Sequence, residues 1–481
     1  MPTVMQWVKH LLEKIDAQAA YAAPFEKRYR NEYVLPFIAA EYREVYGSKV
    51  DAMMTAIDPP RTGVAGITVD ALTDRLTVVG ATSDSAEAAR VVERAWEGND
   101  LDVMHREAHR EALIKARAFA QLDIAADERS AVVGIEAAEQ MAVHRQSHPP
   151  YDVDAALKVS LDEWTGERTA RMWLLQAGRV RKIDLREGKT ALLDPEGSGV
   201  SSRWVVADEK EWRLPWVPVV EFASKPRLLA EPVSEIDDIS TLVDIADLVE
   251  GLLVFAGHFG AVPIRYASGL TVMRDPKDPT KPLLGPDGKP IIGFNPRADH
   301  MWVSTDKDTK FGQLEPANLA SFVTWAEHVS SRIRAKTQVA STYYSMDLKS
   351  HMSAELLKTD EAPMVRRVNG IGRDGSFGQS WRRLNRMMLA VERPDLASAF
   401  TVRPRWAPPE TRIESQDADR FSKLVSHLGP RLLAEDILGW SPERAEEAVR
   451  EAEDMRIRMQ NADPMVGLLG RPLTGAAAGD G

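Results

Sequence analysis

Between residues 234 and 260 the apolar positions fall in two parallel stripes. Ile239, Leu242, Ala246, Val249, Leu253 and Ala256 recur at alternating three- and four-residue steps, and Ile245, Leu248, Leu252 and Phe255 run beside them. This spacing predicts a long helix with apolar contacts on two sides, capped by Ser234. Asp237, Asp244 and Asp247 mark its polar side and read as a solvated face. Residues 314–339 repeat the design with Leu319, Phe322, Ala326, Val329 and Ile333, open with Pro316 and end in Arg332, Arg334 and Lys336, as the helix dipole favours. Each predicted helix has about 25 residues and is about 37 Å long. Between them the β-type runs "PIRYA", "KPIIGF" and "HMWVST" flank a turn-rich excursion from Asp275 to Pro290 with five prolines, which predicts a small β module at one end of a helical pair.

Elsewhere the periodicity changes by region. Residues 1–58 read as helices, stopped by "DPPRTG" at 58–63. "ITVDALTDRLTVVG" (67–80) reads as a helix running into a strand, and residues 85–122 as two helices joined by a tight turn at "EGND" (97–100). From about 125 to 233 short β-type runs such as "MWLLQAG", "VRKIDL" and "WVPVVEF" alternate with turn signals at Gly188, 194–199 and Pro215. Residues 340–353 are polar and aromatic without helical period, and 354–394 are helical in composition but interrupted by Pro363 and several glycines. A strand ended by prolines is expected over 397–413, then a small helical module in which Ser441 caps a helix beginning at Pro442, then a disordered tail.

With 481 residues, 44% hydrophobic and 28% charged, the chain has enough apolar surface for more than one core. Its net charge of -11 argues against gripping nucleic acid over the whole surface, and leaves DNA open as something passed rather than held. The absence of cysteine excludes disulfides, thiolate zinc sites, iron–sulfur clusters and cysteine nucleophiles. No stretch approaches about 18 uninterrupted apolar residues, so no transmembrane helix is predicted. The first helix is amphipathic, without the apolar core of a secretory signal, and a cytosol-like compartment is expected.

Candidate chemistry is sparse. In "NGIGRDGSFG" (369–378), Gly370, Gly372 and Gly375 have the G-x-G-x-x-G spacing of a dinucleotide cradle, but the preceding "MVRRVN" is a poor buried strand and no second strand follows. "EGKT" (187–190) lacks the first phosphate-loop glycine, since Ile183 stands there. His105 and His109 share a helix face at i and i+4, but Arg106 replaces the glutamate of a metalloprotease motif. No nucleophile elbow occurs, and no catalytic, metal or cofactor site is expected. Arg366, Arg367, Arg373, Arg382, Arg383 and Arg386 cluster around the glycines, suited to salt bridges between surfaces or to a phosphate backbone.

The order of these parts resembles the portal proteins of tailed bacteriophages, in the branch found in long-tailed phages of actinobacteria and similar hosts. The resemblance rests on "ITVDALTDRLTVVG", "AWEGNDLDVMHREAHREALIKARAFAQL", "WVPVVEFASKPRL" followed by "SEIDDISTLVDIADLV", "SAELLKTDEAPMVRRV" with "FGQSWRRLNRMMLAV", and "QDADRFSKL", spanning roughly residues 30 to 430. It implies an α+β portal fold, mainly helical with a β-containing wing and a small β clip module, assembled as a ring with a central channel. Residues 1–233, with a strand at 397–412, would form the wing; 234–260 and 315–338 the stem helices; 261–314 the clip; 339–352 the tunnel loop; 353–392 the channel helix; 413–460 the crown; and 461–481 a disordered tail.

The resemblance also implies a dodecamer at one capsid vertex of the virion, assembled in the host cytoplasm, through which double-stranded DNA is packaged and later ejected. Its implied partners are the terminase large subunit, a head-to-tail adaptor, the major capsid protein and scaffold, with no membrane and no cofactor. Tyr343, Tyr344, Lys349 and His351 would be the DNA-facing candidates of the tunnel loop. Arg366, Arg367, Arg373 and Arg382 would lie on the channel helix, and Arg274, Lys277, Lys281, Lys289 and Trp302 at the clip contacts. The glycines at 369–378 depart from a continuous channel helix and predict a break or kink there. The alternatives are a nucleotide-binding enzyme using Gly370, Gly372 and Gly375, and another capsid-associated structural protein.

Overall fold

A computed structural model describes residues 2–33, 61–148, 151–188, 192–193, 200–201, 204–261, 265–268, 273–285, 288, 309–313, 319–344, 353–411, 414–425, 427–438, 440 and 442–462. The chain opens with α1 (Val4–Tyr29), started by a capping box: the Thr3 hydroxyl accepts from the Gln6 amide, and the Gln6 side chain accepts from the Thr3 amide. Then come α2 (Val64–Arg75), β1 (Val78–Thr82), α3 (Ala86–Gly98) and α4 (Leu101–Lys115). The helix-into-strand reading of 67–80 and the turn at 97–100 hold here.

The second of the two helices expected over 85–122 does not reach its predicted end. Ala116 takes a positive φ of 71°, the helix stops, and β2 (Arg117–Ile124) follows as a strand. Its residues from Arg117 to Leu122 are all buried, so it lacks the alternation that marks a strand with one wet face. It is the middle strand of a three-stranded antiparallel sheet, between β3 (Ala131–Ala137) and β11 (Val219–Ala223).

Between β3 and β11 lie β4 (Met141–Arg145), β5 (Val153–Leu161), β6 (Arg168–Gln176), β7 (Arg179–Glu187), the short β8 (Leu192–Leu193) and β9 (Val200–Ser201), and β10 (Trp204–Glu211). An antiparallel sheet in the order β10-β7-β6-β5-β4 carries α1 on one face. Val8, Leu11 and Ile15 of the helix meet Leu157, Met172, Leu174, Ile183 and Leu185 of the sheet in a core of their own.

Beyond a 3-10 turn at Asp237–Ile239 comes α5 (Ser240–Ala261), then β12 (Arg265–Ser268), the hairpin β13 (Arg274–Asp275) and β14 (Asp278–Pro282), β15 (Lys310–Gln313), and α6 (Leu319–Thr337). β12 pairs antiparallel with β15, α5 packs along α6, and Lys336 at the end of α6 donates to the Asp238 carbonyl before α5. The helical pair is as expected, with β structure at one end; of the three β runs expected there, "PIRYA" overlaps β12, whereas "KPIIGF" (289–294) and "HMWVST" (300–305) lie outside the described residues.

Two helices follow, α7 (Ala354–Ile371), which continues through Pro363, and α8 (Ser376–Glu392), then α9 (Pro394–Ala399) and β16 (Arg403–Trp406). Pro394 starts a short helical turn over residues expected to be extended, so the strand predicted at 397–412 is confined to Arg403–Trp406, paired with β1. The chain ends in α10 (Glu414–Leu424), α11 (Pro430–Asp436) and α12 (Pro442–Ala462). The fold mixes helix and sheet, as an α+β reading requires, and its main core gathers α2, α3, α4, β2, β11, α8 and Trp406.

Candidate functional site

The glycine segment joins two helices, not a strand to a helix. The Gly372 amide donates to the Val368 carbonyl at 2.8 Å, Asp374 to Asn369 at 2.9 Å, and Gly378 to Gly372 at 2.9 Å. A Cβ on Gly375 would sit 1.8 Å from the Gly370 carbonyl oxygen, and one on Gly378 2.4 Å from that of Gly372, whereas a Cβ on Gly370 meets nothing within 4 Å. The segment is glycine-rich because α7 and α8 approach through a tight turn against their own carbonyls. The expected break at 369–378 is there, between α7 and α8, and the strand a pyrophosphate cradle needs is absent from this position.

Beside this turn lies an open cleft of about 1220 Å³ that brings Arg373 and Arg382 together with Arg403 and Arg405 of β16, between walls including Trp406, Pro408, Pro409 and Trp440. Arg373, Arg382 and Arg403 are exposed and make no ion pair with any described residue. Asp374 and Glu410 also line the cleft. Periodicity had no means of joining Arg403 and Arg405 to the glycine segment, because the β1–β16 pairing does it. Their signal in the sequence is the alternation in "TVRPRW".

The other two channel-helix candidates have separate roles. Arg366 is exposed, whereas Arg367 is mostly buried, donating to the Thr337 carbonyl at the end of α6 and pairing with Glu235. Glu235 is 1% exposed and also meets Lys225 at 3.1 Å, so this cluster ties α7 to the root of the helical pair. Farther back on α7, Glu361 pairs with Arg75 at 2.9 Å and accepts from the Thr411 hydroxyl at 2.5 Å. Burial pushes the Glu361 carboxyl up, but its bonds from Arg75 and Thr411 outweigh this and hold it below the usual range.

Asp244 and Asp247, expected on a solvated face, are buried instead. Arg28 grips Asp244 through two nitrogens at 3.1 and 2.9 Å, while Asp247 accepts from the Tyr33 hydroxyl and from the Thr62 amide and hydroxyl at 2.7 and 2.6 Å. The polar side of α5 is thus its attachment to the chain's N-terminal region. Only the neighbouring elements distinguish such carboxylates from exposed ones, and α5 alone carries no mark of them.

Of the tunnel-loop candidates, Tyr343 and Tyr344 are partly buried against the main core. The Tyr344 hydroxyl lies 2.8 Å from that of Thr68 and 3.3 Å from that of Thr337, and burial pushes its phenol pKa up. These tyrosines root the segment in the body. Lys349 and His351 lie outside the described residues, as do Lys289 and Trp302 of the clip candidates. Arg274, Lys277 and Lys281 are exposed on the β13–β14 hairpin, where Arg274 donates to the Pro279 carbonyl and Lys281 meets Asp278 at 3.2 Å.

His105 and His109 are core groups. His105 Nδ1 is 2.9 Å from the Leu101 carbonyl and its Nε2 accepts from the Val78 amide; His109 Nδ1 is 2.9 Å from the Leu76 carbonyl and its Nε2 accepts from the Trp381 indole at 2.8 Å. Every ring nitrogen has a protein partner, which leaves none for a metal. Burial, then the neighbouring His105, lowers the pKa of His109 well below the ordinary imidazole value.

An apolar hollow of about 290 Å³ opens on the side of the helical pair, lined by Leu242, Ile245 and Leu248 of α5 and Trp325, His328 and Val329 of α6. Farther from the body, Val254, Leu319 and Val323 are also exposed. Among the described residues no helix is long and apolar enough to cross a membrane.

No family model matches the chain, and no curated protein does. Among solved structures it is similar to a chain of the virion of a native gene transfer agent particle, at 8% identity and a TM-score of 0.41, covering 82% of this chain and 93% of that one. It is also similar to a chain of the neck of a native gene transfer agent particle computed with C12 symmetry, at 8% identity and a TM-score of 0.44, covering 81% of this chain and 92% of that one.

Proposed function

We propose that this chain is a non-enzymatic phage portal protein: a dodecameric ring at one capsid vertex, through which double-stranded DNA is packaged and ejected. Terminase large subunit and head-to-tail adaptor dock on its clip, and the major capsid protein and scaffold surround it. The observation that carries the reading is the antiparallel pair α5–α6, closed by β structure and uncovered along an apolar side. A helix pair with apolar residues left in water fits a subunit that meets copies of itself on either side. The ordered sequence resemblance supports the same assignment, and the net charge of -11 suits a protein that lets a polyanion slide without holding it. The cleft's arginines are read as contacts to acidic surfaces.

The test is imaging of the purified chain by negative stain, and of the assembled particle, with a bound-nucleotide assay alongside. Rings with a central hole, seated at one vertex, are expected, and millimolar ATP or dinucleotide should not bind. A chain that stays monomeric at every concentration and is absent from the vertex of particles overturns the reading. Saturable nucleotide binding weakened by Gly372→Ala favours the enzyme instead.

A further inference from the structure

Leu228 and Leu229 are adjacent large apolar residues that stand almost wholly in solvent, at 96% and 108% relative exposure. They form the tip of a two-residue turn closed by a bridge between Arg227 and Ala230. Leu229 holds φ at 57° and Lys225, at the base, at 45°, left-handed values that leucine and lysine seldom adopt. The base is fixed: the Ser224 amide donates to the Ala116 carbonyl at 2.8 Å, the Val233 amide to the Ser224 carbonyl at 3.3 Å, and Glu231 pairs with Arg117. A rigid, strained turn that holds two leucines in water is a feature to be explained by what covers them.

A matching hollow lies elsewhere on the molecule. A groove of about 530 Å³ runs along the far part of α8, walled by Trp216, Met387, Ala390 and Ala397 and edged by Arg383 and Arg386. Neither arginine pairs with a described residue, and Asp152 on the same groove has no ion-pair partner among them either. Burial and the nearby Arg145 disfavour the charge on Arg383, and the field of Asp152 offsets this only in part, so a further carboxylate would be favoured there. The turn offers the complement: Glu231, whose side chain is 73% exposed despite its ion pair, and Arg227, whose side chain makes no ion pair with a described residue.

One molecule cannot fill its own groove. Ser376 and Ser380 donate to the carbonyls of Ala223 and Glu221, so α8 runs opposite to β11, with the leucine turn beyond its first residues and the groove at its far part. From Ser376 to Ala390 the helix rises about 21 Å. We infer that the Leu228–Leu229 turn of one copy inserts into the Trp216–Met387–Ala390 groove of the next, with Glu231 meeting Arg383 or Arg386 and Arg227 meeting Asp152. Such a contact is head-to-tail, each copy giving a knob and receiving one, and it closes when the rotation between copies does. The inference rests on the ring reading above and names one of the contacts that would hold the ring.

The chain contains no cysteine, so introduced thiols report alone. Leu228→Cys and Ala390→Cys, placed in one chain and treated with a short bis-maleimide, should give a ladder of covalent oligomers on a denaturing gel. The two single variants mixed should stop at dimers. Rings seen by imaging without a ladder overturn the contact and leave the ring reading standing; no rings and no cross-links overturn both. Independently, Leu228→Asp with Leu229→Asp should keep the melting temperature of the isolated chain, since both side chains are in solvent. It should raise the concentration for half-assembly by about tenfold or more per leucine. Assembly at the wild-type concentration overturns the inference.

Discussion

The helical pair α5–α6 has two halves that obey different rules. Next to the body, Val243, Val249, Val329 and Ile333 are each 3% exposed or less, and Asp244, Asp247 and Glu235 are buried in ion pairs and hydrogen bonds to other parts of the chain. Farther out, Val254, Leu319, Val323 and Trp325 are 39% to 47% exposed with the same apolar spacing. One periodic pattern therefore covers two situations: a root completed within the molecule, and an outer half whose apolar side is left exposed by the described residues. Buried charge marks the first, because a carboxylate taken out of water must bring its partners with it.

The strongest way to break this contrast is to attack the root. Asp247→Ala leaves the Tyr33 hydroxyl and the Thr62 amide and hydroxyl without their shared acceptor, and should cost about 2–3 kcal/mol of stability by denaturant titration. A loss below about 0.5 kcal/mol places Asp247 in the same class as a surface residue and removes the root as a distinct region.

Acid should weaken the body next. Burial lowers the pKa of His105, and that of His109 further, so the folded protein keeps both neutral where the unfolded chain takes up protons. Stability therefore falls as pH drops through the unfolded imidazole value of about 6.5, by up to about 1.4 kcal/mol per pH unit for each histidine, and is insensitive to them above about pH 7.5. His109→Gln should flatten the dependence of melting temperature on pH between about 6 and 5. An unchanged slope in that variant assigns the acid sensitivity to other groups.

Legibility in the sequence followed the same division. The stripes of α5 and α6, the β closure between them and the break at 369–378 were readable because each depends on local spacing or on glycine alone. What was missed depends on distant partners. Arg117–Ile124 looked helical because its alanines fit either period, and only the flanking strands β11 and β3 make it a central strand. Asp244 and Asp247 looked solvated until Arg28, Tyr33 and Thr62 were placed beside them. The arginine cleft needed the β1–β16 pairing, and the exposure of Leu228 and Leu229 in "KPRLLAEP" is invisible to any count of apolar residues.

The smallest expected effect on folding is also the sharpest test of the outer half. Trp325 lines the hollow on α6 and is 41% exposed, so Trp325→Lys removes little that the isolated chain buries. Its stability, measured by denaturant titration at concentrations too low for assembly, should stay within about 0.5 kcal/mol of wild type. At higher concentration, a lysine ammonium set into an apolar contact between copies has to be desolvated without a partner, and light scattering should show assembly lost. Stability and assembly then separate at this residue, as they cannot at Asp247. If instead the isolated variant is destabilised as much as Asp247→Ala, Trp325 is covered within its own chain, and the pair is a single region from root to tip.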